Sequence, residues 1–130
     1  MTDEKPETSE FGSVDPAPAS VDADVKIIRE TLCDEDGRMF DRMRALVALR
    51  NLGGPESIDA LAGGFESASA LLKHEIAYVV GQMHESHAVP HLIDRLYDPE
   101  EDLMVRHEAA EAFGASGDRT AMSTLESFRN

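Results

Sequence analysis

The chain has 130 residues, 42% of them hydrophobic and only 5% aromatic, and its 26 acidic against 12 basic side chains leave a formal charge of −14. This length and hydrophobic content suffice for one domain with a core, and the low aromatic content favours helices over strands. The negative charge argues against nucleic acid as a direct ligand and would attract metal ions or a basic protein, although acidity can also simply keep a protein soluble.

Residues 1–20 form an acidic segment with five carboxylates, one lysine and three prolines. So few apolar groups cannot offset the entropy of ordering the segment, and we predict a disordered acidic tail. The folded domain is expected to occupy residues 21–130.

Cys33 is the only cysteine, so an intramolecular disulfide is excluded. We expect its thiol to be a small buried apolar group in a reducing compartment. The sequence shows no secretory signal and no apolar run long enough to span a bilayer. These features predict a soluble, cytoplasmic protein without membrane contacts.

The predicted elements begin with a helix that carries Val25, Ile28 and Leu32 at helical spacing and ends in the acidic turn 34–37. We expect this helix to cover the end of a stack. The next apolar stripe predicts a helix over residues 39–52, ended by Gly53 and Gly54, with Pro55 opening its partner. The stripe and its partner make the first helical hairpin. The stripe consists of Met39, Met43, Leu46, Val47, Leu49 and Leu52.

Two later segments repeat each other: residues 72–81 read LKHEIAYVVG and residues 105–114 read VRHEAAEAFG. Their offset of 33 residues (107 − 74) is the period of stacked helical hairpins, and the helices that follow them match at the same offset. We predict that Gly81 and Gly114 permit close approach of helices, and that Pro90 lies early in its helix. The fold predicted is an all-α, HEAT-like solenoid of about three hairpins after a leading cap helix. The third hairpin would pair residues 103–115 with 119–128.

Each repeat carries a His-Glu pair near the start of its first helix. Neighbouring packed helices lie about 8–10 Å apart, so the four side chains could reach one site. Imidazole and carboxylate are ligands of non-haem iron, manganese or zinc. A solvated pair near a helix start explains one occurrence, whereas recurrence in phase favours a shared metal site. The candidate ligands are His74, Glu75, His107 and Glu108.

The remaining histidines are weaker candidates. The pair His84-Glu85 is out of phase with the repeat and is interpreted as structural, close to a loop. His87 and His91 are four residues apart and could hold an ion together, but solvated polar side chains explain them more simply. Because the sequence has no nucleophile elbow, phosphate loop or dinucleotide fingerprint, any chemistry would be carried by a metal.

These segments strongly resemble the deoxyhypusine hydroxylase family over residues 25–128. The residues that carry the resemblance are Arg44-Ala45-Leu46, Leu49-Arg50, Leu52-Gly53-Gly54, Leu71-Leu72-Lys73-His74-Glu75, Ala77-Tyr78, Gly81-Gln82-Met83 and Val105-Arg106-His107-Glu108-Ala109. The resemblance implies an iron-dependent monooxygenase that modifies translation initiation factor 5A after its synthesis. Such an enzyme hydroxylates the deoxyhypusine side chain to hypusine with dioxygen and a centre of two Fe²⁺ ions.

The resemblance also assigns roles to residues of this chain. It implies that His74, Glu75, His107 and Glu108 belong to the iron site. Glu75 has a second role open to it, since a carboxylate at that position in the family can receive the cationic amine of the substrate. The acidic composition suits a substrate amine carried on a basic loop.

The chain departs from the family in one respect: the family has two halves with four His-Glu pairs, and this chain matches the first half. In its first hairpin, Arg44-Ala45 are taken as the positions equivalent to His-Glu, and they cannot replace those ligands. Three interpretations stay open. The chain is a fragment of a longer enzyme, or two copies pair as a homodimer to restore four His-Glu pairs, or it is a catalytically incomplete HEAT-repeat scaffold that binds proteins.

Overall fold

Helices make up the part of the chain that the computed structural model describes, residues 21–116, and no strand occurs there. The helices are α1 (Val21–Leu32), α2 (Met39–Leu52), α3 (Gly54–Gly63), α4 (Ala70–Gln82), α5 (Val89–Tyr97) and α6 (Leu103–Ser116). Short 3₁₀ turns, Gly64–Glu66 and Ser86–Ala88, follow α3 and precede α5. The predicted acidic tail and the predicted helix over residues 119–128 lie outside the described residues.

The helices stack as the repeat predicts. Helices α2 and α3 form the first hairpin, α4 and α5 the second, and α6 opens the third. Helix α1 packs against both helices of the first hairpin, while α4 and α5 pack against α6. The all-α, HEAT-like architecture with a leading cap helix is therefore confirmed. No helix within residues 21–116 has the length and apolar character needed to cross a membrane.

Turn residues set the helix boundaries as expected. Gly53 has φ 70° and Gly54 has φ 88°, a left-handed conformation that side chains other than glycine rarely adopt. Pro55 follows in the first turn of α3, where its missing N–H leaves no hydrogen bond unmade. Pro90 occupies the same kind of position at the start of α5, as predicted.

The first helices of the hairpins share one burial pattern, read from their starts. Buried side chains recur at the seventh, eighth and eleventh positions, because these lie on one face of a helix. They are Ala45, Leu46 and Leu49 in α2, Ile76, Ala77 and Val80 in α4, and Ala109 and Phe113 in α6, where Ala110 is half-buried.

A cation stands at the fourth position of each of these helices. In α2, Arg42 Nε donates to the carbonyl of Leu32 at 2.9 Å, and in α6, Arg106 Nε donates to the carbonyl of Leu96 at 3.0 Å. Each acceptor lies ten residues earlier, at the end of the preceding helix. The shared hydrogen bond fixes the register between repeats. Lys73 is the equivalent residue in α4.

This register corrects one detail of the sequence interpretation. The His-Glu pairs occupy the fifth and sixth positions, so their equivalents in α2 are Met43-Arg44 and not Arg44-Ala45. The sequence alignment of α2 with the later repeats was shifted by one residue, because α2 has no His-Glu pair by which to align it. The conclusion that the first hairpin lacks the pair is unchanged.

A buried carboxylate ties the second hairpin to the start of α6. The side chain of Glu101 is only 1% exposed and accepts hydrogen bonds from Lys73 Nζ at 2.6 Å and Arg95 at 2.7 Å. It also accepts the backbone N–H of Asp102 at 2.8 Å. Burial alone would raise the pKa of Glu101, but these hydrogen bonds outweigh it and hold the pKa below its usual range.

The apolar stripe of α2 is not buried over its whole width, and the expected burial of Cys33 was wrong. Val47 and Leu52 of the predicted α2 stripe are exposed, and with Phe40 they line an apolar cavity of about 600 Å³. A stripe of six apolar positions is wider than the face that the neighbouring helices cover. Cys33 is half-buried and not fully enclosed, because it lies one residue beyond the end of α1.

Candidate metal centre

Side-chain caps fix where α4 and α6 begin and so place their His-Glu pairs. Ser69 Oγ accepts the N–H of Leu72 at 3.1 Å before α4. Asp102 Oδ1 accepts the N–H of Met104 at 2.8 Å before α6. Because each cap accepts an N–H that has no intrahelical partner, both helices start at defined residues. Each His-Glu pair consequently lies in the second turn of its helix.

Helices α4 and α6 approach closely because a glycine faces an alanine. A Cβ atom added to Gly81 would lie 2.6 Å from the Cβ of Ala112, closer than real contacts allow. The predicted close approach at Gly81 is therefore confirmed. At Gly114 no described atom lies within 4 Å of such a Cβ atom. The tight α4–α6 contact brings side chains of the two repeats within reach of each other.

His74 lies between two carboxylates, one from each helix. Its Nε2 atom is 3.1 Å from Glu108 Oε1 on α6, and its Nδ1 atom is 3.6 Å from Glu75 Oε2 on its own helix. The Glu108 side chain is 15% exposed, so this contact is largely shielded from water. The structure thus joins three of the four predicted ligands.

The fourth predicted ligand points elsewhere. His107 is 63% exposed, and its Nε2 atom lies 3.5 Å from Glu111 Oε2, one turn further along α6. Glu108 turns towards His74 on α4 while His107 lies beside Glu111, so the pair on α6 does not converge as His74 and Glu75 do on α4. The sequence repeat predicted the position of His107 along the helix axis, but not the direction in which its side chain points.

The donor atoms that do converge suit a hard or borderline metal ion. Ligands bound at about 2.0–2.2 Å from an ion stand about 3 Å apart, and the separation of 3.1 Å between His74 Nε2 and Glu108 Oε1 matches this. Nitrogen and carboxylate oxygen are the ligand types of non-haem iron sites. His74 Nε2 and Glu108 Oε1 therefore fit two ligand positions of a metal of that class, while Glu75 lies on the opposite, Nδ1 side of the imidazole.

A second His–carboxylate cluster, which the sequence analysis did not predict, involves the second helices. Asp59 Oδ1 on α3 lies 2.8 Å from His87 Nε2 and 2.9 Å from His91 Nε2. The hydrogen bond with His91 holds the pKa of Asp59 below its usual range, burial opposes the shift, and the hydrogen bond with His87 adds to it. Within residues 21–116 this is the group of three ligand-type side chains whose donor atoms all lie within 4.8 Å.

Two of the three residues of this cluster, His87 and His91, could be recognised from the sequence. The spacing of four between His87 and His91 was the available signal, and it was interpreted as solvation. Asp59 gave none, since it is 28 and 32 residues away and has no partner at the repeat period. His84, by contrast, is loop-proximal as predicted, with φ 54° just after α4.

Comparison with known proteins identifies the class first. A family model for the PBS lyase HEAT-like repeat matches residues 41–67 and 105–128. Both matches begin at the third position of a first helix, α2 and α6, in agreement with the register given above. The chain carries HEAT-like repeats at these residues.

Its relatives are more specific. The chain is 50% identical over 113 residues to the deoxyhypusine hydroxylase of Bos taurus, covering 87% of this chain and 37% of that protein. It is 46% identical over 122 residues to the Xenopus laevis deoxyhypusine hydroxylase, covering 94% of this chain and 40% of that protein. A solved structure of human deoxyhypusine hydroxylase in complex with glycerol superposes with a TM-score of 0.82 at 44% identity, covering 85% of this chain and 38% of that one.

These similarities confirm the predicted resemblance: over most of its own length the chain is homologous to deoxyhypusine hydroxylases. The chain spans about 40% of the length of the curated relatives it matches.

Proposed function

We propose that this chain supplies two of the four His-Glu pairs of a deoxyhypusine hydroxylase, and so acts in hydroxylating the deoxyhypusine side chain of translation initiation factor 5A. The observation that carries the proposal is the contact between His74 Nε2 and Glu108 Oε1, which joins the two repeated pairs across α4 and α6. The identity of 44–50% to deoxyhypusine hydroxylases over most of the chain supports the same activity.

The cofactor proposed is non-haem iron, with two Fe²⁺ ions in the complete site. His74, Glu75 and Glu108 would hold the metal, and the exposed imidazole of His107 would contribute to a ligand set completed by the other two pairs. When bound, the iron would supply the activation of dioxygen, so that one oxygen atom enters a substrate C–H bond and the other leaves as water with two electrons from an external donor and two protons from solvent.

The residues of this chain contribute binding and orientation. Glu75 has an exposed carboxylate beside His74 and can receive the cationic amine of the substrate side chain. The charge of −14 attracts the basic loop that carries that amine and speeds its encounter with the site. Glu108, whose side chain is largely shielded, brings a carboxylate of the second repeat to the imidazole of the first at the α4–α6 contact.

The other two His-Glu pairs would come from a longer form of the polypeptide or from a second copy of this chain in a homodimer. A second candidate function is a catalytically incomplete HEAT-repeat scaffold that binds a protein partner. The position of His107 favours this alternative, because its imidazole is 63% exposed and lies beside Glu111, away from His74.

A hydroxylation assay distinguishes the two functions. The chain is purified anaerobically, loaded with Fe²⁺, and mixed with deoxyhypusine-containing factor 5A, a reductant and dioxygen. Mass spectrometry then detects the gain of one oxygen atom on the modified lysine. We expect conversion by a dimer, with loss of activity in His74→Ala and His107→Ala.

The matched control is His84→Asn, which removes an imidazole outside the site while asparagine tolerates the positive φ. It is expected to retain full activity. One result would overturn the hydroxylase proposal in favour of the scaffold. The wild-type chain would then be an inactive, metal-free monomer that binds factor 5A, and His74→Ala would bind factor 5A equally well.

A further inference from the structure

The cluster of Asp59, His87 and His91 connects two hairpins. Asp59 belongs to α3 of the first hairpin, His87 to the 3₁₀ turn before α5, and His91 to the first turn of α5. None of these residues belongs to the first helices that carry the His-Glu pairs. The cluster is therefore separate from the candidate iron site in both sequence and supporting elements.

The donor atoms of the three side chains lie within 4.8 Å of one another, close enough to be gathered around one metal ion. One carboxylate oxygen, Asp59 Oδ1, lies 2.8 and 2.9 Å from the two imidazole nitrogens. Ligands bound at about 2.0–2.2 Å in tetrahedral or octahedral geometry are about 2.9–3.4 Å apart. The two imidazole nitrogens lie within 4.8 Å of each other, so rotation of these exposed side chains can bring all three donor atoms onto one ion.

An ion can also reach the cluster. The three side chains are between 32% and 53% exposed, so no helix has to move to admit a hydrated cation. The strong negative charge of the chain raises the local concentration of cations. Two nitrogen ligands and one carboxylate favour Zn²⁺ and similar ions over Ca²⁺ and Mg²⁺, which prefer oxygen.

We propose that Asp59, His87 and His91 form a Zn²⁺-type binding site that cross-links α3 to the start of α5. Three protein ligands leave one coordination position for water. Asp59 lies 28 residues before His87 and 32 residues before His91 in the sequence. The unfolded chain therefore has no comparable three-ligand site. Binding consequently stabilises the folded stack at the contact between its first two hairpins.

Titration of the 130-residue chain with zinc chloride, followed by isothermal calorimetry, tests this site. The variants Asp59→Asn, His87→Gln and His91→Gln each remove one ligand and are expected to weaken Zn²⁺ binding by at least about tenfold. Asp94→Asn is the matched control, because Asp94 is an exposed carboxylate on α5 outside the cluster, and it should bind as wild type does. Zn²⁺ should also raise the melting temperature of wild type and of Asp94→Asn, but not of the three ligand variants.

Two results would overturn the site: binding by Asp59→Asn that is as tight as that of wild type, or wild type that binds no Zn²⁺ at millimolar concentration. Circular dichroism shows that each variant is folded before titration. The variant His74→Ala is expected to leave the Asp59-dependent binding in place. The outcome is independent of the hydroxylase proposal, because no hydroxylation is measured.

Discussion

The two His–carboxylate clusters differ in how the fold supports them. The His74–Glu108 contact spans two helices held together by the glycine–alanine approach at Gly81, and it lies next to the buried Lys73–Glu101 ion pair. The Asp59 cluster lies at the surface and is held mainly by its own hydrogen bonds. The comparison indicates that the first cluster is preorganised by packing, whereas the second can rearrange around an ion.

The strongest way to break this comparison is to remove the support beneath the first cluster. Glu101→Gln leaves Lys73 and Arg95 without their buried counter-charge. We expect a loss of about 3 kcal/mol in the free energy of unfolding, measured by urea denaturation. Glu100→Gln, at the exposed neighbouring carboxylate, is the control and should change that free energy by no more than about 0.5 kcal/mol. Equal effects of the two changes would show that Glu101 gives no special support.

A smaller change separates α4 from α6. Gly81→Ala places a methyl group against Ala112, and we expect a loss of about 1–3 kcal/mol together with weaker metal binding at His74 and Glu108. Zn²⁺ binding at Asp59 should persist in the folded variant. The matched change Gly114→Ala meets no described atom and should stabilise α6 by up to about 1 kcal/mol. Similar thermal melts for both alanine variants would contradict the tight α4–α6 contact.

The carboxylate of Glu35, in the loop before α2, provides a third test, because its contribution to stability depends on pH. The N–H of Ala68, the hydroxyl of Ser67 and the guanidinium of Arg42 lower the pKa of Glu35 from 4.5 to about 2. The folded state thus favours the ionised carboxylate, and this stabilisation is full above about pH 4.5 and is lost as the pH falls through about 2. In Glu35→Gln, the melting temperature should depend less on pH between about pH 4.5 and pH 2 than it does in wild type. An unchanged pH profile would show that Glu35 gives no acid-sensitive stabilisation.

The smallest effect is expected at the second cluster in the absence of metal. Asp59→Asn removes a half-exposed carboxylate whose ion pairs are screened by water, so with a chelator present we expect a change of at most about 1 kcal/mol. Urea denaturation checks this value. A much larger loss would mean that the cluster is a structural element of the fold without any ion.

The fold was predictable because the sequence repeats itself at the period of a helical hairpin. The recurrence of His-Glu, Ala77 with Ala110 and Gly81 with Gly114 predicted stacked hairpins, and the glycine-proline turn gave the end of α2. The register failed by one residue at Met43-Arg44, where the repeat has diverged. The exposure of Val47 could not be predicted either, since the width of an apolar stripe does not reveal how much of it neighbouring helices cover.

The candidate sites were predictable only in part. The repeat placed His74 and Glu108 within one residue of the same level on neighbouring helices, which sufficed to predict their proximity. It did not show that His107 faces Glu111, because that depends on rotation about the helix axis and on the side-chain conformer. The role of Asp59 required the packing of α3 beside α5, which no local pattern encodes.

The claim that the doubled His-Glu pairs form the iron site is tested most directly by anaerobic equilibrium dialysis against Fe²⁺. Wild type is compared with His74→Ala, Glu108→Gln, His84→Asn and Asp59→Asn. We predict that the first two variants lose at least about tenfold in iron affinity, while the last two bind as wild type does. The opposite pattern, with iron binding lost in Asp59→Asn and retained in His74→Ala, would contradict the assignment and transfer the metal to the second cluster.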